Sequence, residues 1–371
     1  MIKTETTASA ILPAPQGQAE HEYYFQFPAV YGQQGNTVTL LMNVPARMLE
    51  RVLSHDNFGH TLERSQREIN NVRVRKFIRY LTDAAEKGAP FIIPALTGNC
   101  ESSIKFEPIG NTTAGIARIP MDAVVKLFDG QHRATGIMEF ISNYDIDLNV
   151  PILLTEQLSL DTRKQFFSDI NNNASKPSAT INMVYDGRND MAQMMVDILR
   201  RHNVFNIITD FENNVVPAKK PYFVSFKAIC DATAKFIGEG ENRLTSESIE
   251  ALWQSWVYLT AIDEIRNGTN QNEYKKDYIQ FHAVMINAFG YAVADLLKNN
   301  DLNAVIAMIE TLAVNCDTWQ KEEFYLIKNW TGVCVDDSGE RPVIMANVAG
   351  QRAAAARLVD VIKRGSFEPG R

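Results

Sequence analysis

VVKLFDGQHRATGI, residues 124–137, is a short apolar run that stops at Asp129-Gly130-Gln131-His132-Arg133 and resumes as an amphipathic segment. Val124, Val125, Leu127 and Phe128 suit a buried strand, and Gly130 permits a sharp turn. The run therefore predicts a strand, a turn and a helix in succession. Asp129 is expected to cap the helix by accepting a backbone N–H from Gln131 or His132, with the other first-turn N–H groups facing outward beside the Arg133 guanidinium. Such a helix start attracts phosphate. A plain capped corner with Arg133 on the surface would use the same residues, because every helix start carries free N–H groups.

Around this junction the chain of 371 residues, 45% of them hydrophobic, is large enough for one large domain or two ordinary ones. No stretch approaches the roughly twenty apolar residues of a membrane span, and the start lacks a signal peptide's basic region followed by an apolar core. A cytoplasmic protein without membrane partners is expected. Cys100, Cys230, Cys316 and Cys334 lie far apart without metal-ligand spacing, so neither a zinc site nor a disulfide framework is predicted. GxSxG, HExxH, Walker A and kinase motifs are all missing, which argues against small-molecule metabolic catalysis.

Residues 1–21 read as a flexible tail, 22–185 as an α/β (α+β) unit with a mixed sheet, and 186–371 as a mainly α-helical half. Strands are expected at 23–30, 37–42, 90–96, 104–106, 115–119 and 150–155, with a helix from about Ala46 and another over 71–85. In the second half, helical periodicity covers 191–201, 226–237, 246–265, 278–297, 302–314 and 347–364. Trp253, Trp256 and Trp319 are read as core or dimer-packing residues.

The formal net charge of −7 disfavours nucleic-acid binding through overall positive charge, so a local patch would have to do that work. Residues 63–80 hold Arg64, Arg67, Arg73, Arg75, Lys76 and Arg79 against only Glu63 and Glu68. Val74, Phe77, Ile78 and Leu81 repeat at helical spacing, leaving Arg75, Lys76 and Arg79 off the apolar stripe. That helix can face a phosphate backbone, or simply face water with acidic neighbours. Lys219 and Lys220, in the proline-broken loop 213–221, are further candidate phosphate contacts. The polar stretch 169–177 is expected to form a turn in which Asp169, Asn171, Asn173 and Lys176 support the 129–133 turn, although a helix C-cap would use the same residues.

Asp129-Gly130-Gln131-His132-Arg133 is similar to the motif that names the DGQHR-domain family. Tyr24-Phe25-Gln26-Phe27-Pro28-Ala29-Val30, Arg64-Ser65-Gln66-Arg67-Glu68-Ile69-Asn70 through Arg79-Tyr80-Leu81, Phe166-Phe167-Ser168-Asp169-Ile170-Asn171, Ala174-Ser175-Lys176-Pro177-Ser178 and Tyr185-Asp186-Gly187-Arg188-Asn189-Asp190 resemble the DndB branch of DNA-sulfur-modification proteins. The likeness covers about residues 22–190. In one departure, Met42-Asn43-Val44-Pro45 stands where related chains can carry a cysteine before the proline, so a thiol switch is not expected there.

The resemblance implies a DNA-binding regulator of phosphorothioate modification, acting as a transcriptional repressor on double-stranded DNA at the modification-gene promoter. The implied partners are a second copy of the chain and other sulfur-modification proteins. It also implies a distant likeness to the ParB and sulfiredoxin-like fold, in which a GxxR turn cradles nucleotide phosphates. Carried over, Gly130 lets the backbone approach a ligand, Arg133 neutralises charge, and Gln131 or His132 orients a water or phosphate oxygen. The rival function is therefore a non-P-loop ATPase, using ATP with Mg²⁺, or a DNA-nicking accessory enzyme. His132 is divided between that role and fastening the turn.

Overall fold

The computed structural model describes residues 23–54, 69–173, 177–339 and 341–367. The expected tail at 1–21 and the stretches 63–68 and 174–176 lie outside the described residues. The chain divides into two compact units, 1–175 and 176–371. The fold class is α/β, with a mixed seven-stranded sheet in the first half and mostly helices in the second.

In the first unit, β1 (Tyr24–Gln34) and β2 (Thr37–Pro45) form a hairpin, and a 3-10 turn leads into α1 (Leu49–Val52). α2 (Asn71–Glu86), β3 (Leu96–Cys100), β4 (Lys105–Pro108), β5 (Ala114–Pro120) and β6 (Val125–Asp129) follow. α3 (Gln131–Asn143), β7 (Asn149–Glu156) and α4 (Leu160–Asn173) complete the unit. The strand order is β4-β5-β1-β2-β7-β3-β6, antiparallel throughout except for the parallel β3–β7 pair. Alternate residues of each strand, among them Phe27, Leu40, Ile119, Leu127 and Ile152, join Leu49, Leu81, Ile137 and Phe140 of the helices in one core.

β6 is packed on both faces. Leu127 points into the core with α3, whereas its neighbour Phe128 meets Phe166 of α4 edge to face with ring centroids 6.1 Å apart. On that second face Glu101 pairs with both Lys126 (3.2 Å) and Arg163 of α4 (3.0 Å).

The strand expected at 90–96 is displaced: 91–95 belongs to no strand, and the paired strand is Leu96–Cys100. Pro90 and Pro94 have no N–H to give a ladder. The stretch 169–173 is the last turn of α4 and not a loop.

The second unit contains α5 (Ala179–Tyr185), α6 (Asp190–Arg201), α7 (Phe205–Ile208), α8 (Phe226–Thr233), α9 (Ser246–Thr260) and α10 (Ile262–Ile265). α11 (Gln271–Asp277), α12 (Ala283–Leu296), α13 (Leu302–Asn315), α14 (Thr318–Tyr325) and α15 (Val348–Arg364) follow, and two short strand pairs complete it. α5, assigned by sequence to the first half, packs on α6 and α8. The single helix expected over 246–265 is broken at Ala261, whose φ is 52°. Trp253 and Trp256 are buried beside Phe205, with centroids 5.7 and 5.6 Å from it, and the Trp253 indole donates to Thr233 Oγ1 at 3.0 Å. Trp319 is 69% exposed, which removes it from the core and leaves dimer packing as the alternative of the two.

Lys275 and His282 are held inside this unit with no carboxylate partner among the described residues. Lys275 Nζ donates to the Phe223 carbonyl at 3.0 Å, and burial pushes its pKa down to about 8. His282 Nε2 donates to the Lys275 carbonyl at 2.8 Å, and burial pushes its pKa down to about 4 from an ordinary 6.5. Between those two values the unfolded chain binds a proton that the folded chain refuses, so stability is full above pH 6.5 and falls as the pH drops towards 4. We expect His282 alone to remove about 2–3 kcal/mol across that window. Urea midpoints between pH 7 and pH 4 check this, and His282→Gln, which retains an N–H donor, should flatten the profile.

Candidate nucleic-acid interface

The 129–133 turn sits at the end of β6, where the β3–β6 register shifts between Thr97 and Gly98 so that Asp129 pairs with Thr97. Gly130 then takes φ 93° and becomes the residue preceding α3. That φ strains any L side chain, and a Cβ there would lie 2.5 Å from Leu96 Cδ2 and push its methyl aside.

Asp129 does not cap the helix: the residue in the cap position is Gly130, which has no side chain to do so. Asp129 Oδ2 instead accepts from Arg133 Nη2 at 2.6 Å, one helical turn away. Arg133 Nη1 donates to the Pro94 carbonyl at 2.7 Å and to the Ala95 carbonyl at 3.4 Å. The guanidinium thus ties the segment before β3 to the start of α3. Gln131 Nε2 folds back onto the Leu127 carbonyl at 3.1 Å. His132 Nε2 accepts the backbone N–H of Asn70 at 2.9 Å, which requires a neutral ring with its proton on Nδ1.

That last bond links the turn to α2. The Asn70 side chain accepts from the N–H groups of Val72 and Arg73, so one residue caps the helix and docks its first turn on His132. Val74, Leu81 and Ala84 are buried and Phe77 and Ile78 half-buried, as the apolar stripe predicts. α2 lies against α3 at Gly136, where an added Cβ would come within 3.1 Å of Phe77.

Arg73, Arg75, Lys76 and Arg79 are all exposed, and no carboxylate among the described residues pairs with them. Arg73 occupies the first turn, where the helix dipole disfavours positive charge by about 0.3–1 kcal/mol. α2 therefore combines its amino-terminal N–H groups with four solvent-facing cations.

The other candidates are placed differently. Asp169 accepts from Gln165 at 2.7 Å and the Asn171 amide donates to the Phe167 carbonyl at 2.7 Å, so both are engaged within α4. Asn173 is exposed at the end of that helix, and Lys176 lies outside the described residues. In the second unit Lys220 pairs with Glu212 and stands 3.9 Å from the buried Asp210, while Lys219 is exposed. Sequence reasoning missed Asn70 as the docking residue, although an Asn preceding an amphipathic run is a recognisable cap. It also missed the Pro94 carbonyl, which no pattern signals.

Asp129, Gln131, His132 and Arg133 each already engage a protein group, so a triphosphate held by their side chains would have to displace those contacts. Among the described residues no three His, Cys, Asp or Glu side chains converge as metal ligands, and no helix is long and apolar enough to cross a membrane.

These features define a two-unit α/β protein in which an Asp-Gly-Gln-His-Arg turn mounts a basic helix beside a mixed sheet. The chain belongs to the DndB family, described as DNA-sulfur modification-associated, which matches residues 27–364. That range extends into both units. No curated protein and no solved structure matches the chain.

Arg133→Ala is expected to lower stability by about 1–3 kcal/mol, because the Pro94 carbonyl and Asp129 lose their shared partner while solvent still reaches them. In a double-mutant cycle with Asp129→Asn the coupling should be about 1 kcal/mol by denaturant titration, and additive effects would show that the pair contributes nothing.

Proposed function

We propose that this member of the DndB family is a DNA-binding regulator of a DNA sulfur-modification system, holding duplex DNA on the exposed face of α2 at the promoter of the modification genes. Membership of the family supports a role in DNA sulfur modification. The observation that carries the finer reading is the exposed set Arg73, Arg75, Lys76 and Arg79 on a chain whose net charge is −7. Arg73, in the first turn, opposes the helix dipole, and a phosphate backbone would reverse that penalty while meeting the other three cations.

In this reading the 129–133 turn positions the binding element and does not perform chemistry. His132 holds the start of α2 through Asn70, and Arg133 holds the turn against 94–95. Two copies of the chain would set two such helices along one duplex, in the way symmetric repressors read paired half-sites. Lys219 is a secondary candidate contact, and Lys220 a weaker one, because Glu212 already takes its charge.

The test is a gel shift or anisotropy titration on promoter and unrelated duplexes over a series of salt concentrations. Arg75→Ala, Lys76→Ala and Arg79→Ala combined should weaken binding to every duplex and reduce the log–log salt slope by about 0.9 per lost phosphate contact. Wild-type affinity and slope in the triple variant would place the DNA surface elsewhere. Phosphate release from ATP and strand nicking, read in the same samples, distinguish an enzymatic accessory role. His132→Ala should lower affinity without changing the slope, because it removes no cation from the surface.

A further inference from the structure

The second unit carries a half-buried cation with no counter-ion among the described residues. Arg357, on α15, lies with its guanidinium carbon 4.5 Å from the centroid of the Trp330 ring and 5.1 Å from that of Phe324. One of its N–H groups donates to the Asn329 carbonyl. No carboxylate pairs with it, and burial lowers its pKa. Arg163 is partnered by Glu101 and Arg133 by Asp129, whereas Arg357, like Lys275, meets a carbonyl in place of a carboxylate.

Arg357 lines an open pocket of about 450 Å³. Phe324, Phe367 and Trp319 form its aromatic surface, with Gln320 and Ser366 adding polar groups. Phe367 lies on Phe324 with centroids 4.4 Å apart. Trp319 stands in the first turn of α14, which a reciprocal Asp317–Gln320 capping box holds in place. Its large exposed ring contributes little to the fold. A large exposed aromatic beside a desolvated guanidinium is the composition of a binding site, since the ring offers stacking area and the guanidinium offers paired N–H groups to an anion.

We propose that this pocket binds a nucleotide, with the phosphate on the Arg357 guanidinium and the base on the aromatic surface led by Trp319. The volume accommodates a ligand of mononucleotide size. Flat rings favour a planar base over an aliphatic side chain, and a single fixed cation matches one phosphate. The same chemistry has two sources, a free nucleotide or one unit of a single strand. Glu323 also lines the pocket, and its charge opposes an anion there.

The test uses the full-length chain and calorimetric titration with thymidine 5′-monophosphate, thymidine, a short oligothymidylate and a peptide ending in a phenylalanine carboxylate. Thymidine 5′-monophosphate should bind, and thymidine about tenfold or more weaker, because it lacks the group that Arg357 recognises. Trp319→Ala should weaken binding about tenfold or more with an unchanged melting temperature, since the residue is mostly solvent-exposed. Arg357→Gln should abolish phosphate discrimination; because Arg357 also packs on Trp330, the Trp319 variant keeps the test independent of folding. Glu323→Gln should tighten binding.

Oligothymidylate binding that is lost with Trp319→Ala identifies the single strand as the source, and binding of the mononucleotide alone identifies the free ligand. No binding of either, affinities unchanged in all three variants, or a preference for the peptide carboxylate would overturn the proposal. The Arg75, Lys76 and Arg79 triple variant should retain mononucleotide binding, which separates failure of this site from failure of the DNA surface on α2.

Discussion

The first unit depends on the close approach of Gly130 to Leu96. Gly130 takes φ 93°, where any L side chain is strained, and a Cβ there would lie 2.5 Å from the Leu96 methyl and displace it, so glycine favours closure of the turn over the bulged end of β3. Once closed, it points α3 across the core, brings Arg133 to the Pro94 carbonyl and presents His132 to the Asn70 N–H. Sheet, α3 and α2 thus share one five-residue reference point.

The polar contacts of that turn supply orientation more than stability. Asp129 and Arg133 have side chains 36% and 20% exposed, which limits their ion pair to about 1 kcal/mol, whereas each buried aromatic of the core contributes several times that. Phe140 and Ile137 hold α3 to the sheet, and Val74, Leu81 and Ala84 hold α2. What the turn adds is register: an Arg spanning Asp129 and Pro94 accepts one placement of 90–95 only, and a histidine acceptor admits one position of the α2 amino terminus. The DNA contact proposed for α2 needs charges at fixed positions, and a docked cap fixes the start of the helix that carries them.

Charge is distributed unevenly between candidate surfaces. On α2 the cations are exposed and without carboxylate partners among the described residues, whereas in the 210–220 loop Lys220 is consumed by Glu212 and Asp210. Counting basic residues along the sequence treats the two alike. Pairing separates them, because an ion-paired lysine must give up a partner before it can meet a phosphate.

Several elements were legible in the sequence because their causes are local. The stripe Val74, Phe77, Ile78 and Leu81 gave α2 within one residue, the apolar run before Gly130 gave β6 and α3, and alternation gave β5 and β7. Periodicity and turn chemistry act over a few residues, so composition alone suffices for them. The departures came where distant groups compete. Asp129 was free to cap α3 in sequence terms, but Arg133, already fixed by a carbonyl 39 residues upstream, takes its carboxylate. Two prolines moved the expected strand to the polar segment 96–100, which pairs because β7 and β6 lie on either side. Trp319 and Trp253 look alike as letters, yet one faces water and the other lies among Phe205, Phe236 and Phe289. The sequence by itself determined the segments whose periodicity or turn chemistry is local, and which face of α2 is basic. Only the tertiary structure decided which polar groups are already satisfied, because a hydrogen-bond partner tens of residues away leaves no periodic trace in the chain.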